Sequence, residues 1–224
     1  VLWVATSRAG VYTRSPGETG FTQFAASNGN GPGSLGSSLV FDMIEDTDGA
    51  IWAGSFGHGL FRLDPKTGTY ETFISRDGDD GTLCDNRVFT LCVDSGGQLW
   101  IGTISGLNRF DYRSRRWRQY TVKDGMPGPV VYGVLEESPA RPGLAPVIWI
   151  STNAGLSRLD TGTGKFRTFD TSDGLQGNEF NKGAYLKSKN GYFFFGGSNG
   201  FNVFKPEFIS SNTYVPPVVL TGLQ

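Results

Sequence analysis

Short apolar runs closed by Gly-containing turns recur along the whole chain, and their alternation has the period of strands rather than of helices. One stretch shows the unit most clearly. Val88–Val93 is rich in β-branched and aromatic residues, Asp94-Ser95-Gly96-Gly97 is a turn, and 98–102 is a second strand around Trp100. Leu107–Asp111 alternates apolar and polar positions as a half-buried strand does, and 117–120 continues the pattern after another turn. The same punctuation returns elsewhere. Asp48-Gly49 precedes Trp52 and Asn190-Gly191 precedes Phe194, and together with Gly96-Gly97 these pairs predict two-residue type I′ hairpins. Leu60–Asp64 and 156–160 match Leu107–Asp111. The runs 70–73 and 166–169 match 117–120, with Asp64-Pro65-Lys66-Thr67-Gly68 as one of the intervening turns.

The units are evenly spaced. Trp3, Trp52, Trp100 and Trp149 fall at steps of 49, 48 and 49 residues, and Phe194 takes the Trp place 45 residues later. Four antiparallel strands per about 48 residues is one blade of a β-propeller. The predicted fold is therefore all-β, with three complete and two partial blades, read as a fragment of a larger ring. Blades are assigned to 1–206 and an exit segment to 207–224. In the fourth repeat a Pro-rich insertion over 137–146 replaces the first hairpin and must project as a loop. A Trp recurring once per blade in an apolar strand predicts packing between neighbouring sheets rather than a row of sugar-stacking platforms.

Composition narrows the chemistry. The 33 glycines fit many tight turns, and 20 Lys plus Arg against 21 Asp plus Glu leave a net charge of −1, which gives no pull toward nucleic acid or anionic membrane. The basic cluster Asp111-Tyr112-Arg113-Ser114-Arg115-Arg116-Trp117-Arg118 reads as a solvated turn. No apolar run approaches the roughly 18 residues of a membrane helix. Because Val1 already lies within a repeat, the sequence is expected to be a piece of a longer protein. Cys84 and Cys92 are too far apart along an extended run to form a disulfide, and without further Cys or His at zinc spacing they predict no metal site. No cofactor motif is present. His58, the single histidine, sits in a loop without a nucleophile motif around it. The turn aspartates also fail the register of the sialidase Asp-box, since Asp48 lies four residues before Trp52 where that motif needs five. They are expected to bond nearby backbone instead.

In a propeller the loops from fourth strand to next first strand, and from second to third, emerge on one face around the axis. Those loops here carry Arg8, His58, Asp85, Asn86, Arg87, Asn153, Gln176, Asn178, Glu179, Asn181 and Asn199. As a set they are the candidate ligand-binding residues, because amide and charged groups on rigidly held loops suit hydroxyl-rich ligands.

The copies around Trp3, Trp52, Trp100 and Trp149 resemble the two-component regulator propeller repeat of bacterial membrane-bound sensors. The segment from Asp173 through Asn181, followed by Phe195-Gly196-Gly197-Ser198-Asn199-Gly200-Phe201-Asn202, is similar to the last blade in that family, and Pro216-Pro217-Val218-Val219-Leu220-Thr221 to the lead-in to its three-tyrosine β-sandwich domain. The resemblance implies a periplasmic or extracellular part of an inner-membrane receptor. It would sense a small-molecule ligand of oligosaccharide type and signal to a histidine kinase or diguanylate cyclase output. The implied partners are further propeller blades, the sandwich domain and a second copy in a homodimer. A propeller enzyme using His58 and nearby carboxylates, either a lyase or a glycosidase, and a protein-interaction scaffold are the alternatives.

Overall fold

The computed structural model describes residues 1–7, 9–24, 35, 39–137, 141 and 143–209. They form five antiparallel sheets, each a meander in chain order. Sheet I has β1 (Leu2–Ala5), β2 (Val11–Arg14) and β3 (Thr22–Gln23). Sheet II has β4 (Val40–Glu45), β5 (Ile51–Ser55), β6 (Leu60–Asp64) and β7 (Thr69–Phe73). Sheet III has β8 (Val88–Val93), β9 (Leu99–Thr103), β10 (Leu107–Asp111) and β11 (Arg116–Tyr120). Sheet IV has β12 (Val131–Glu137), β13 (Val147–Thr152), β14 (Gly155–Asp160) and β15 (Lys165–Phe169). Sheet V has β16 (Phe180–Lys187), β17 (Phe193–Gly197) and β18 (Gly200–Phe204). Three four-stranded blades between two three-stranded ones is the predicted arrangement, and the described sheets form an arc without a closed ring. Of the exit segment only 207–209 is described; Pro216 through Thr221 lie outside the described residues, as do 138–140 and Pro142 of the insertion.

The first strands β4, β8, β12 and β16 pack successively against one another and so gather around the axis. Sheets II, III and IV each send their Trp into the following sheet. Trp52 meets Phe110 and Tyr112 edge-on, Trp100 packs with Val134, Ile148 and Ile150, and Trp149 contacts Phe193 and Phe204. All three are at most 1% exposed, which bears out the packing role; truncating a fully buried Trp costs about 3–5 kcal/mol. The glycine two places after Trp52 and after Trp100 has a matching reason. A Cβ on Gly102 would lie 2.4 Å from Thr90 Cγ2 and 2.6 Å from Val131 Cγ1 of the next sheet, so only hydrogen fits there.

The hairpins differ from expectation. Type I′ needs positive φ at both central residues, yet among the described residues Arg115 is the only non-glycine with positive φ. In sheet II the Gly49 amide donates to the Asp46 carbonyl at 3.1 Å and the Asp46 amide to the Ala50 carbonyl at 2.9 Å. The result is a type I turn followed by a left-handed Gly49 at φ 81°, and Gly97 and Gly191 repeat it. The side chain that selects this longer loop is an aspartate six residues before the Trp. Asp46 Oδ1 accepts the amides of Asp48 and Ala50, and Oδ2 accepts the Trp52 indole N–H at 2.9 Å. Asp94 does the same for Gly96, Gln98 and Trp100. In sheet IV the insertion removes that aspartate, and Glu137 at the end of β12 takes the Trp149 indole at 2.8 Å while pairing with Arg158.

Candidate functional site

Every axial strand carries a bulge at the same level. Pairing with the second strand shifts between Val40 and Asp42, between Val88 and Thr90, between Val131 and Gly133, and between Phe180 and Tyr185. A bulge frees a residue from the in–out alternation and re-aims its side chain. The freed residues here are Phe41, Phe89 and Tyr132, with Lys182 inside the larger bulge of β16.

These side chains meet. Phe41 and Phe89 have ring centroids 5.7 Å apart, Phe89 and Tyr132 stack at 5.9 Å, and Phe56 from the loop after β5 stacks on Phe89 at 6.0 Å. Phe56 remains 41% exposed while Phe41, Phe89 and Tyr132 are half-buried, so the shelf opens to solvent at its Phe56 edge. Lys182 Nζ lies 3.0 Å from the centroid of Phe41 and 5.8 Å from that of Phe89, a cation over aromatic faces. Partial burial there lowers its pKa.

Beneath the shelf a polar bridge crosses the axis. The Tyr185 ring passes directly over Gly133, where a Cβ would fall 2.4 Å from Tyr185 Cδ1. Its hydroxyl lies 2.7 Å from Thr90 Oγ1 and donates to Asp42 Oδ2 at 3.2 Å, and the same carboxylate oxygen accepts the Leu91 amide at 2.7 Å. Burial pushes both Asp42 and Tyr185 up from their ordinary pKa values, with the Asp42 charge adding to the shift at Tyr185. One side chain thus spans sheets II, III, IV and V.

The loop residues chosen from the sequence divide into two groups. Asp85 binds Arg87 through both carboxylate oxygens and accepts the Ser105 hydroxyl; the Arg87 hydrogen bonds hold its carboxyl below the usual range. Asn86 accepts the Ser75 amide with its side chain and the Gly57 and Gly59 amides with its carbonyl, so it fixes the loop that carries half-buried His58. Asn153 accepts the Val130 amide, Gln176 the Asn199 amide and Asn178 the Thr171 amide. Those five groups shape the loops. Arg87, Glu179, Asn181 and Asn199 are exposed; the bridge between Phe56 and Arg87 puts Arg87 beside the shelf, and the Glu179 charge acts on Tyr132. Arg8 lies outside the described residues. The shelf aromatics and Lys182 were not among the sequence candidates. A signal existed, since Phe41 and Phe89 each follow a Val and each stand eleven residues before their Trp.

Cys84 and Cys92 are free thiols, each pushed up to about 12 by burial. The basic turn is solvated as expected, with Arg113 pairing to Asp48 and Arg115 to Glu71 of sheet II at the surface. Among the described residues no helix is long and apolar enough to cross a membrane.

Comparison with known proteins bears out the resemblance to the two component regulator propeller, whose sequence model matches residues 82–105, from the loop before β8 through the Trp100 strand. No curated protein matches the chain. The extracellular domain of BT3049 from B. thetaiotaomicron, described as a hybrid two component system, is 26% identical with a TM-score of 0.79 over 98% of this chain. The corresponding domain of BT4673 from the same organism is 19% identical with a TM-score of 0.64 over 96%. The chain spans only 28% and 27% of those two structures. YCF48 from Cyanidioschyzon merolae, 16% identical with a TM-score of 0.60, covers 92% of this chain and 66% of its own and shares the fold.

Proposed function

We propose that the chain is the ligand-sensing propeller of an extracytoplasmic bacterial receptor, that it takes oligosaccharide-type ligands at the axial mouth, and that it signals to a histidine kinase or diguanylate cyclase output. The observation that carries this reading is the trio of bulged aromatics, Phe41, Phe89 and Tyr132, presented side by side at one mouth. Aromatic faces pack against the apolar faces of sugar rings, while exposed Arg87, bridged to Phe56, offers hydrogen bonds to hydroxyls at the margin. The likeness to the BT3049 extracellular domain supports the receptor context.

A ligand signals only through a difference in affinity between two arrangements of the protein. The Tyr185 bridge ties the strand beside Lys182 to sheets II and III, so occupancy of the mouth acts on the same strands that set the spacing of the sheets. The segment is read as non-catalytic: the carboxylate of Asp85 is held ionised by a bidentate pair and a hydroxyl, and the half-buried Asp42 carboxylate is taken up by the Tyr185 hydroxyl and the Leu91 amide. The exposed apolar face of sheet V, Leu186, Phe201 and Val203, is the face that in the preceding sheets receives the next one, and is read as the seat of a further blade.

The test is a thermal-shift and calorimetric screen of oligosaccharides against the chain and its Phe89→Ala variant. Binding at 100 times Kd stabilises the folded state by about 2.7 kcal/mol. Loss of that shift in Phe89→Ala with folding intact supports the site; a broad oligosaccharide set with no saturable ligand for the folded wild type overturns it.

A further inference from the structure

Lys182 is the cation seated on the shelf rings themselves, and its surroundings differ from those of Arg87 beside Phe56. Arg87 is neutralised by Asp85 at 2.7 Å. Lys182 is exposed and is held by the Phe41 and Phe89 rings instead of by a carboxylate. Partial burial is the cause of its lowered pKa, and the Glu179 charge near the shelf acts on Tyr132 rather than on Lys182. Lys182 is exposed in an eight-residue strand that gives the core Phe180 and, in part, Tyr185, so the lysine is not needed there for the core. The other three axial bulges place aromatic rings at the same level, so the fourth adds a positive charge at the edge of an apolar shelf.

We propose that Lys182 and the Phe41–Phe89–Tyr132 shelf form a subsite for an anionic saccharide, with a sugar ring stacked on the aromatics and its carboxylate or sulfate group on the Lys182 ammonium. This rests on the oligosaccharide reading above and narrows it to charged sugars. Carboxylate and sulfate share the chemistry that Lys182 recognises, a compact anion accepting from a rotatable ammonium. The bare rings alone would accept a neutral sugar equally well. Lys182 is what makes the subsite discriminate.

The experiment is isothermal titration of the full chain with three matched sets of oligosaccharides, neutral, uronate-containing and sulfated. The wild type, Lys182→Ala, Lys182→Arg and Phe41→Ala are titrated in parallel, with folding of each checked by circular dichroism. The expected result is binding of at least one anionic set about tenfold or more tighter than its neutral counterpart. Lys182→Ala should abolish the preference, Lys182→Arg should keep most of it, and Phe41→Ala should weaken charged and neutral ligands alike. The uronate and sulfate arms identify which anion the site takes. Equal affinity for neutral and charged sets, or a preference untouched by Lys182→Ala, overturns the subsite while oligosaccharide sensing stands. Folded protein that binds none of the three sets overturns both.

Discussion

Replacing Asp94 by Asn isolates one hydrogen bond that the repeat uses to seat its Trp. Asp94 is 3% exposed and its carboxylate accepts the Trp100 indole at 2.8 Å and the Gly96 and Gln98 amides at 2.9 Å each. Asn keeps an oxygen for the two turn amides but sets an NH2 where Oδ2 received the indole, so a donor faces a donor in a site where neither reaches water. A buried bond to a charged acceptor is worth about 1.5–3 kcal/mol. Asp94→Asn should therefore destabilise the chain by about 2–4 kcal/mol. Trp100→Phe removes the indole N–H and should cost about 2 kcal/mol from lost contact and a small cavity. If the indole bond is the main loss in Asp94→Asn, the double variant is less damaged than the sum by about 1.5–3 kcal/mol. Urea denaturation of the four proteins gives the coupling directly. Additivity within about 0.5 kcal/mol would show that Asp94 serves the turn alone and would refute the indole account.

Other expectations follow from the same packing. Gly102→Ala should cost about 1–3 kcal/mol by overpacking against Thr90 and Val131, read as a fall in the urea midpoint; a neutral result would mean the sheets can part at that level. Gly133→Ala should displace Tyr185 from Thr90 and Asp42, so that adding Tyr185→Phe costs little more; full additivity would deny that Gly133 serves the bridge. The two thiols set an alkaline limit. Their folded pKa values are raised to about 12 while the unfolded thiols ionise near the ordinary value, so their stabilising contribution is whole below about pH 9 and is lost as pH climbs toward 12, by about 1.4 kcal/mol per pH unit per thiol. Denaturation midpoints between pH 8 and 11 should fall less steeply in a Cys84→Ala, Cys92→Ala protein, and parallel curves would contradict the burial assigned to both.

The sequence was most legible where a residue's duty is local and repeated. The Trp spacing, the alternation in Leu107–Asp111 and the Gly-bearing turns each follow from strand period and backbone sterics, and together they determined blade type, the order of strands and the complete and partial units. Turn type was only partly legible. Gly49 announces a left-handed residue, but the choice between a two-residue and a longer loop is made by Asp46, which must satisfy both the turn amides and a Trp on the next strand.

The candidate site was the least legible part, because loop amides look alike whether they meet ligand or backbone. Asn86 and Asn153 turned out to hold neighbouring backbone, which nothing in their local sequence distinguishes from solvent-facing Asn. Nor could periodicity place Phe41, Phe89 and Tyr132. A bulge shifts register by one residue, and the face to which a side chain then turns depends on the partner strand. Sequence alone therefore determined the repeating blade, whose contacts lie within one unit or between like units. Tertiary structure decided the axial mouth, where Lys182 meets Phe41 and Tyr185 meets Asp42 across more than 140 positions of sequence, distances that only the curvature of the arc can close.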